Sequence, residues 1–321
     1  MDCDYVERRS PVIWSQRSIE RVRSETAMNK FNIVPIAPLR PYVERLWGWE
    51  SIGQEVVELP TLLPGTGAEI FFHYRAPFIQ CRDGEDHAFD DAHLICVRRR
   101  PIHLRPQGDV GFIAVRLRAG RMHRFLDVPG GDLIDGTLSV AELWKSGGRQ
   151  LSLDVSNAHS RDAALQSIQH FLLEQLQHRR SDEVVENAIS AIYQNHAAAS
   201  IDKLASRCGV ARRELERRFK ALTAQTPVEF RKLSRVQHVV RELLLDPSSR
   251  MLDVVLSHGF YDQAHFIHSF AELKLGSPVR HLTLARTKPH FYNISLRGGV
   301  NFSAKLARAG RSRDVLATRP R

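Results

Sequence analysis

The sequence predicts an α+β chain: a β-rich N-terminal domain, either a small barrel or a sandwich with short helices, then an all-α domain with tandem helix-turn-helix units. Three observations carry this expectation. Two similar segments lie 51 residues apart, Phe219-Lys-Ala-Leu-Thr-Ala-Gln-Thr-Pro227 and Phe270-Ala-Glu-Leu-Lys-Leu-Gly-Ser-Pro278. Each follows a glycine turn, Gly209-Val210 or Gly259-Phe260, and each turn follows a short apolar-periodic run, Ile201-Asp-Lys-Leu204-Ala205 or Leu252-Asp-Val-Val255. Helix, tight turn, second helix is the helix-turn-helix pattern. Upstream, apolar residues fall instead in short strand-like runs separated by Pro and Gly.

Length and composition bound the rest. A chain of 321 residues has room for two separate cores. Hydrophobic residues make up 43% and charged residues 26%, as in an ordinary soluble protein. No apolar run approaches the roughly 20 residues that span a bilayer. Met1–Met28 carries charges throughout and no apolar stretch of the secretory kind, so a cytoplasmic location is expected. Cys3, Cys81, Cys96 and Cys208 show no C-x-x-C spacing and read as free thiols.

The net charge of +10 is unevenly spread. Residues 1–181 are balanced, with 23 basic and 23 acidic side chains, whereas residues 283–321 hold 9 and 1. Within the repeat, residues 201–241 hold 11 basic and 4 acidic side chains, and residues 242–282 hold 3 and 5. The first unit should therefore dominate attraction to phosphates.

Along the chain, residues 1–29 read as a flexible arm, with Met28 a second candidate start. Residues 30–180 read as the β-rich domain. Its strand candidates are Ala68–Tyr74 after the turn Pro64-Gly65-Thr-Gly67, His93–Val97, Ile102–Leu104 and Gly111–Arg118. Ala119–Leu126 and Val140–Trp144 read as short helices. Over residues 161–178, Leu165, Ile168, Phe171, Leu172 and Leu176 recur at helical spacing. That helix is a spacer, half of a dimer seam, or a layer on its own β domain. Polar Gln177–Ser181 marks the boundary.

Residues 181–282 are helical in pattern. Asp182 suits an N-cap for Glu183–His196, and Ser200 one for Ile201–Cys208. Pro227 fits the first turn of a helix running to about Leu245, where Asp246-Pro247 ends it. At ~1.5 Å per residue that helix spans about 27 Å, close to the ~34 Å between successive major grooves on one face of B-DNA. Residues 283–321 read as a basic, disordered tail.

A groove-reading helix needs an apolar face to seat it and a polar face for the bases. In the first unit Val210, Leu215, Phe219 and Leu222 share one face, and Arg212, Arg213, Glu216, Arg217 and Lys220 the other. Arginine bonds a guanine edge in bidentate fashion, worth about 1–3 kcal/mol of discrimination. In the second unit Phe260, Phe266 and Phe270 form the apolar face, with Gln263, His265 and His268 polar. Glutamine suits adenine.

Together these features resemble the C-terminal domain of the AraC/XylS family of bacterial transcription regulators, over about Asp182–Leu282. Leu204-Ala205 before Gly209-Val210, with Leu215, Arg217 and Phe219, looks like the first unit. Arg235 and Leu243 fit the linker helix. Gly259-Phe260-Tyr-Asp262-Gln263-Ala-His265-Phe266, Phe270 and Pro278 look like the second unit. The resemblance implies base reading by Arg213 and Arg217 in the first unit and by Gln263, Ala264 and His268 in the second.

The chain departs from the family in places. Ala211 stands where a capping Ser is usual, Ala224 and Leu275 where each unit has Gly, Val255 where Ala is usual, and His268 where Arg is usual. Upstream, Pro41–Trp47, Leu62–Gly65, Ala68–Phe71, Val115–Gly120 and Phe125-Leu126 resemble the sensory domain of one AraC-type subgroup. That implies a small effector or dimerisation there.

The expected function is a sequence-specific DNA-binding regulator that reads two successive major grooves under control of an effector or partner. Its expected partners are double-stranded DNA, RNA polymerase, a small effector and a second copy of the chain, with no membrane and no cofactor. The rival from another class is a metal-dependent small-barrel enzyme, or a DNA-repair protein fused to the same domain. His73, His87, His93 and His103 form no H-x-H or H-x-x-x-H pair, and no cysteine has nucleophile or zinc spacing, which argues against it. A third reading, repeats that bind protein, predicts no steep salt dependence of duplex binding.

Other signals have plainer readings: Arg98-Arg-Arg100 as a solvated loop, Cys208 as a buried thiol, and Trp47, Trp49, Phe71, Phe72 and Tyr74 as ordinary core.

Overall fold

The computed structural model describes residues 28–52, 58–82, 85–128, 134–177 and 182–287. The expected arm up to residue 27, the boundary residues 178–181 and the tail from residue 288 lie outside the described residues.

Among the described residues nine strands come first: β1 (Met28–Ile33), β2 (Val43–Ser51), β3 (Glu69–His73), β4 (Phe78–Arg82), β5 (Glu85–Ala88), β6 (Ala92–Ile95), β7 (His103–Pro106), β8 (Gly111–Leu117) and β9 (Thr137–Ser139). Six form one sheet in the order β1-β2-β8-β3-β6-β9, and three form a second in the order β5-β4-β7. Every pairing between these strands is antiparallel.

The large sheet is buried on both faces, and strand alternation sorts its side chains. Leu46, Ile70, Phe72, Leu94, Ile113 and Val115 point to a core shared with α1 (Val140–Ser156) and α2 (Arg161–Gln177). Trp47, Trp49, Phe71, Ile95, Phe112 and Ala114 point the other way, onto Phe78 and Leu104 of the small sheet. Several aromatics of this second core meet edge to face; the Trp47 and Phe112 rings lie 5.2 Å apart at 88°. Gly48 makes the β1-β2-β8 region possible, because a Cβ there would sit 2.0 Å from the Phe112 carbonyl oxygen. The arrangement is layered, helices on sheet on sheet, and so follows the sandwich alternative.

Several boundaries differ from expectation. Met28 and Asn29, assigned to the arm, pair with Ser51 and Glu50 in β1–β2. The helix expected at Val140–Trp144 continues to Ser156, through a kink at Lys145 (φ 53°) and across Gly147-Gly148. Its start is fixed by a reciprocal capping box between Ser139 and Glu142. Ala119–Leu126 contains only a 3-10 turn at Met122–Arg124. Helix α2 packs on its own β domain, burying Ala164, Leu165, Ile168 and Leu172. The solvated-loop reading of Arg98 is wrong: it is 2% exposed, and Glu69 lies at 3.7 Å.

Seven helices follow among the described residues: α3 (Glu183–Gln194), α4 (Ile201–Arg207), α5 (Arg212–Thr223), α6 (Pro227–Leu245), α7 (Met251–Ser257), α8 (Gln263–Glu272) and α9 (Pro278–Thr287). The last runs five residues past Leu282, so the expected tail begins inside it. Asp182 and Ser200 cap α3 and α4 through the amides of Val185 and Lys203. Thr226, Pro227 and Glu229 start α6 with a capping box and a proline in its first turn.

Two compact cores result. One gathers Val185, Ile189, Ile192, Leu204, Leu215, Phe219 and Phe230, and the other Val240, Leu243, Val254, Val255, Phe260, Phe266 and Phe270. Helix α6 contributes to both. Val255, standing where a smaller residue is usual, is fully buried in the second.

The β domain and the helices are joined by polar contacts. Glu186 of α3 receives Arg121, Arg124 and the ring of His123. Gln237 of α6 accepts from the Thr66 hydroxyl at 3.1 Å, and Arg99 pairs with Glu229 at 3.3 Å. Arg241 of α6 reaches Glu44 at 4.0 Å. Behind it Glu69 is 1% exposed. Burial pushes its carboxyl up, but Arg116, Arg98 and Arg45 outweigh this and hold it below the usual range.

Candidate nucleic-acid interface

Helix α5 is seated by Leu215 and Phe219, both fully buried, with the Phe219 ring 5.4 Å from that of Phe230. This turns Arg212, Arg213, Arg217 and Lys220 outward, and all four are exposed. Their electrostatic states differ. Arg212 donates to Glu216 (2.9 Å) and to both oxygens of Asp202 (3.0 and 2.9 Å). Arg217 donates to Glu214 at 2.9 and 2.8 Å. That hydrogen bond holds the Glu214 carboxyl below its ordinary range. Among the described residues, no carboxylate pairs with Arg213 or Lys220. These exposed pairs are worth little in water.

The start of α5 matches the expected departure. Ala211 is its N-cap and supplies no side-chain hydrogen bond. The far end is held at Ala224, a left-handed residue (φ 64°) where glycine would be unstrained. In the second unit the corresponding turn is built differently. Lys274 (φ 60°) and Gly276 (φ 70°) carry the left-handed conformation, flanking Leu275.

Helix α8 is seated by Phe266 and Phe270, both fully buried, and capped by Asp262, which accepts from the His265 amide at 2.7 Å. Ala264, His265 and His268 are exposed and Gln263 is half-buried. Gln263 donates to the Met251 sulfur at 3.6 Å. The His265 ring packs edge-on against Phe260 at 5.3 Å. His268 meets Glu272 at 3.2 Å, and Lys232 of α6 binds the same carboxylate. Its hydrogen bond from Lys232 holds Glu272 below the ordinary range.

Residue-type reasoning about α8 passed over Tyr261. It stands just before Asp262 and is 86% exposed, far more than the other large apolar or aromatic residues of the helical domain. A tyrosine between the turn and the N-cap is a legible signal, since such positions lie beside the groove-facing end of the helix. Arg218 was also passed over, and it is structural: it binds Asp182 at the start of α3.

Residues 204–282 match a family model described as a helix-turn-helix domain. Those residues belong to a helix-turn-helix domain family.

Residues 32–139 match a domain of unknown function, DUF6597. No curated relative matches the chain. Among solved structures it is similar to a transcriptional regulator with an AraC-type DNA-binding domain from Chromobacterium violaceum, at 28% identity and TM-score 0.30 over 33% of this chain and 95% of that one. It is also similar to the DNA-binding domain of AdpA, a global transcriptional factor, in complex with a target DNA, at 27% identity and TM-score 0.29 over 33% and 95%. ToxT from Vibrio cholerae aligns over 80% of this chain and 97% of that one, at 10% identity and TM-score 0.43.

Among the described residues, no group of three or more His, Cys, Asp or Glu side chains is placed to hold a metal, and no helix is long and apolar enough to cross a membrane.

Proposed function

We propose that the chain is a transcription regulator that reads two successive major grooves, with α5 in one and α8 in the next. The observation that carries this is the pairing of two outward polar faces on helices seated by separate cores and joined by α6. Its 19 residues span about 28 Å. In this reading Arg213 and Arg217 read bases in the first groove, while Arg212 and Lys220 hold phosphates. Gln263, Ala264 and His268 face the second groove, with His265 at its edge. The first half supplies most of the affinity, since its charge excess is +7 against −2 for the second.

Residues 30–180 form the sensory or dimerisation domain in this reading, and residues 181–282 the DNA-binding domain. A small effector acts through the contacts around Glu186, Gln237 and Glu44, biasing how freely the DNA-binding domain meets its site. RNA polymerase and a second copy of the chain are the protein partners, and the cytoplasm is the location.

Enrichment of bound duplexes from a random pool tests this. Two half-sites about one helical turn apart are expected. Enrichment of a single short motif with nothing in the neighbouring turn would reject two-groove reading.

A further inference from the structure

The second unit touches the first through a chain of side chains that DNA reading does not use. His196 follows α3, and its Nδ1 lies 3.1 Å from the Tyr193 carbonyl oxygen. Its Nε2 lies 2.8 Å from Nδ1 of His258, which closes α7. The Nε2 of His258 lies 2.9 Å from the Glu242 carboxylate on α6. The following residue, Gly259, presses against the first unit: a Cβ there would sit 2.7 Å from both Cα and O of Ala197. Arg235 of α6 donates to the carbonyls of His196 and Ala197 at 2.9 and 2.7 Å, holding that strip of backbone in place.

Proton counting gives this chain a property that its members lack singly. Three contacts link Tyr193, His196, His258 and Glu242, and each needs one hydrogen. Two neutral imidazoles supply only two. With two, one contact must set acceptor against acceptor; a third proton satisfies all three. The Glu242 end suits it. Burial, followed by Asp246, holds the Glu242 carboxyl above its ordinary range. The His238 ring stacks on His196 at 4.0 Å and is itself pushed down to about 3, chiefly by burial and then by His196, so it stays neutral. Arg241, on the same helix, further disfavours charge on His238.

We propose that His196, His258 and Glu242 are positioning residues that fix the second recognition helix against the first unit through one shared proton. The inference rests on the two-groove reading above. Losing the proton to solvent leaves the Glu242 carboxylate facing the lone pair of His258 Nε2. That frees the turn before α8, and the spacing of the two helices with it.

The test compares the full-length protein with E242Q and E242A. The probes are the most enriched two-half-site duplex and the same duplex with its second half-site scrambled. The readout is the ratio of the two affinities from pH 5 to 8. The glutamine amide donates permanently to His258 Nε2, so E242Q should keep the wild-type ratio and lose its pH dependence. The wild-type ratio should fall about 5-fold as pH rises, and E242A should show the low ratio throughout. E242Q carries the same α8 histidines, so any slope they cause is common to both proteins. A wild-type slope equal to that of E242Q, or E242Q behaving as E242A does, overturns the proposal. Absence of any wild-type preference for two half-sites at every pH overturns both it and the two-groove reading.

Discussion

Asp182 binds Arg218 with both carboxylate oxygens while capping α3 through the Val185 amide. One side chain thus starts the first helix of the helical region and holds α5 to it. Burial raises the Asp182 carboxyl, but Arg218 and the amide outweigh it and keep the group ionised below its ordinary range. Asp182→Ala should cost about 1–2 kcal/mol, cap and ion pair together. Urea denaturation of the single and double variants with Arg218→Ala measures this. Strict additivity would show that the two residues do not act on each other.

Ala224 ends α5 at φ 64°. A side chain in that conformation costs roughly 1 kcal/mol relative to glycine. Ala224→Gly should therefore raise stability by about 1 kcal/mol, with duplex affinity unchanged. Thermal melts decide it, and a lower Tm would mean the unfolded-state entropy of glycine outweighs the relieved strain.

Arg213 is exposed and unpaired by any described carboxylate, whereas Arg217 is held by Glu214. Arg213→Ala should cost about 1–3 kcal/mol at the preferred duplex and relax discrimination. Lys220→Ala should weaken all duplexes alike and reduce the salt slope by about one unit. Competition between specific and scrambled duplexes over a salt series separates the two roles.

Glu186 binds Arg121, Arg124 and His123 where the β domain meets α3, and the ion-pair side chains there are at most 14% exposed. Removing the carboxylate leaves buried cations without their counter-charge. Glu186→Ala should lose about 3 kcal/mol. Hydrogen exchange should then show faster exchange at α3 and at Met122–Arg124; unchanged protection would mean the packing of Ile189 on Gly120 suffices.

The β domain predicts acid sensitivity. Burial pushes His93 down to about 4, and burial together with His93 holds His73 well below its ordinary value. In the unfolded chain both titrate near ~6.5. Between these values the unfolded chain takes up protons that the folded chain refuses. The contribution to stability is therefore complete above about pH 6.5 and is lost as pH falls toward 4. His93 alone accounts for a loss of about 2 kcal/mol between pH 7 and 5. His73→Phe should flatten the acid limb in urea melts, and an unchanged limb would place the titration elsewhere.

Sequence periodicity located the helical domain because its helices are amphipathic and several of them are locally capped. Asp182, Ser200 and Thr226-Pro227 are written next to the helices they start, and the Phe-to-Pro skeleton sets the seats of α5 and α8. The β domain was less legible. Strand β2 is buried on both faces and interrupted by Gly48, and β5 is exposed throughout, so neither shows alternation. Helix α1 crosses two glycines that local propensity counts against it.

The outward faces of Arg213, Lys220 and His268 follow from spacing alone, because a buried phenylalanine fixes the rotation of each helix. Which arginines are already paired, and which histidines meet, did not follow. His196 and His258 lie 62 residues apart and become hydrogen-bonded only once α6 brings the ends of α3 and α7 together. Glu69 and Arg98, 29 residues apart, likewise meet only in the folded chain. Local hydrogen bonds and hydrophobic periodicity act within a few residues and are written in the sequence. Electrostatic partners are chosen by distance in space, so only the packed structure decides them.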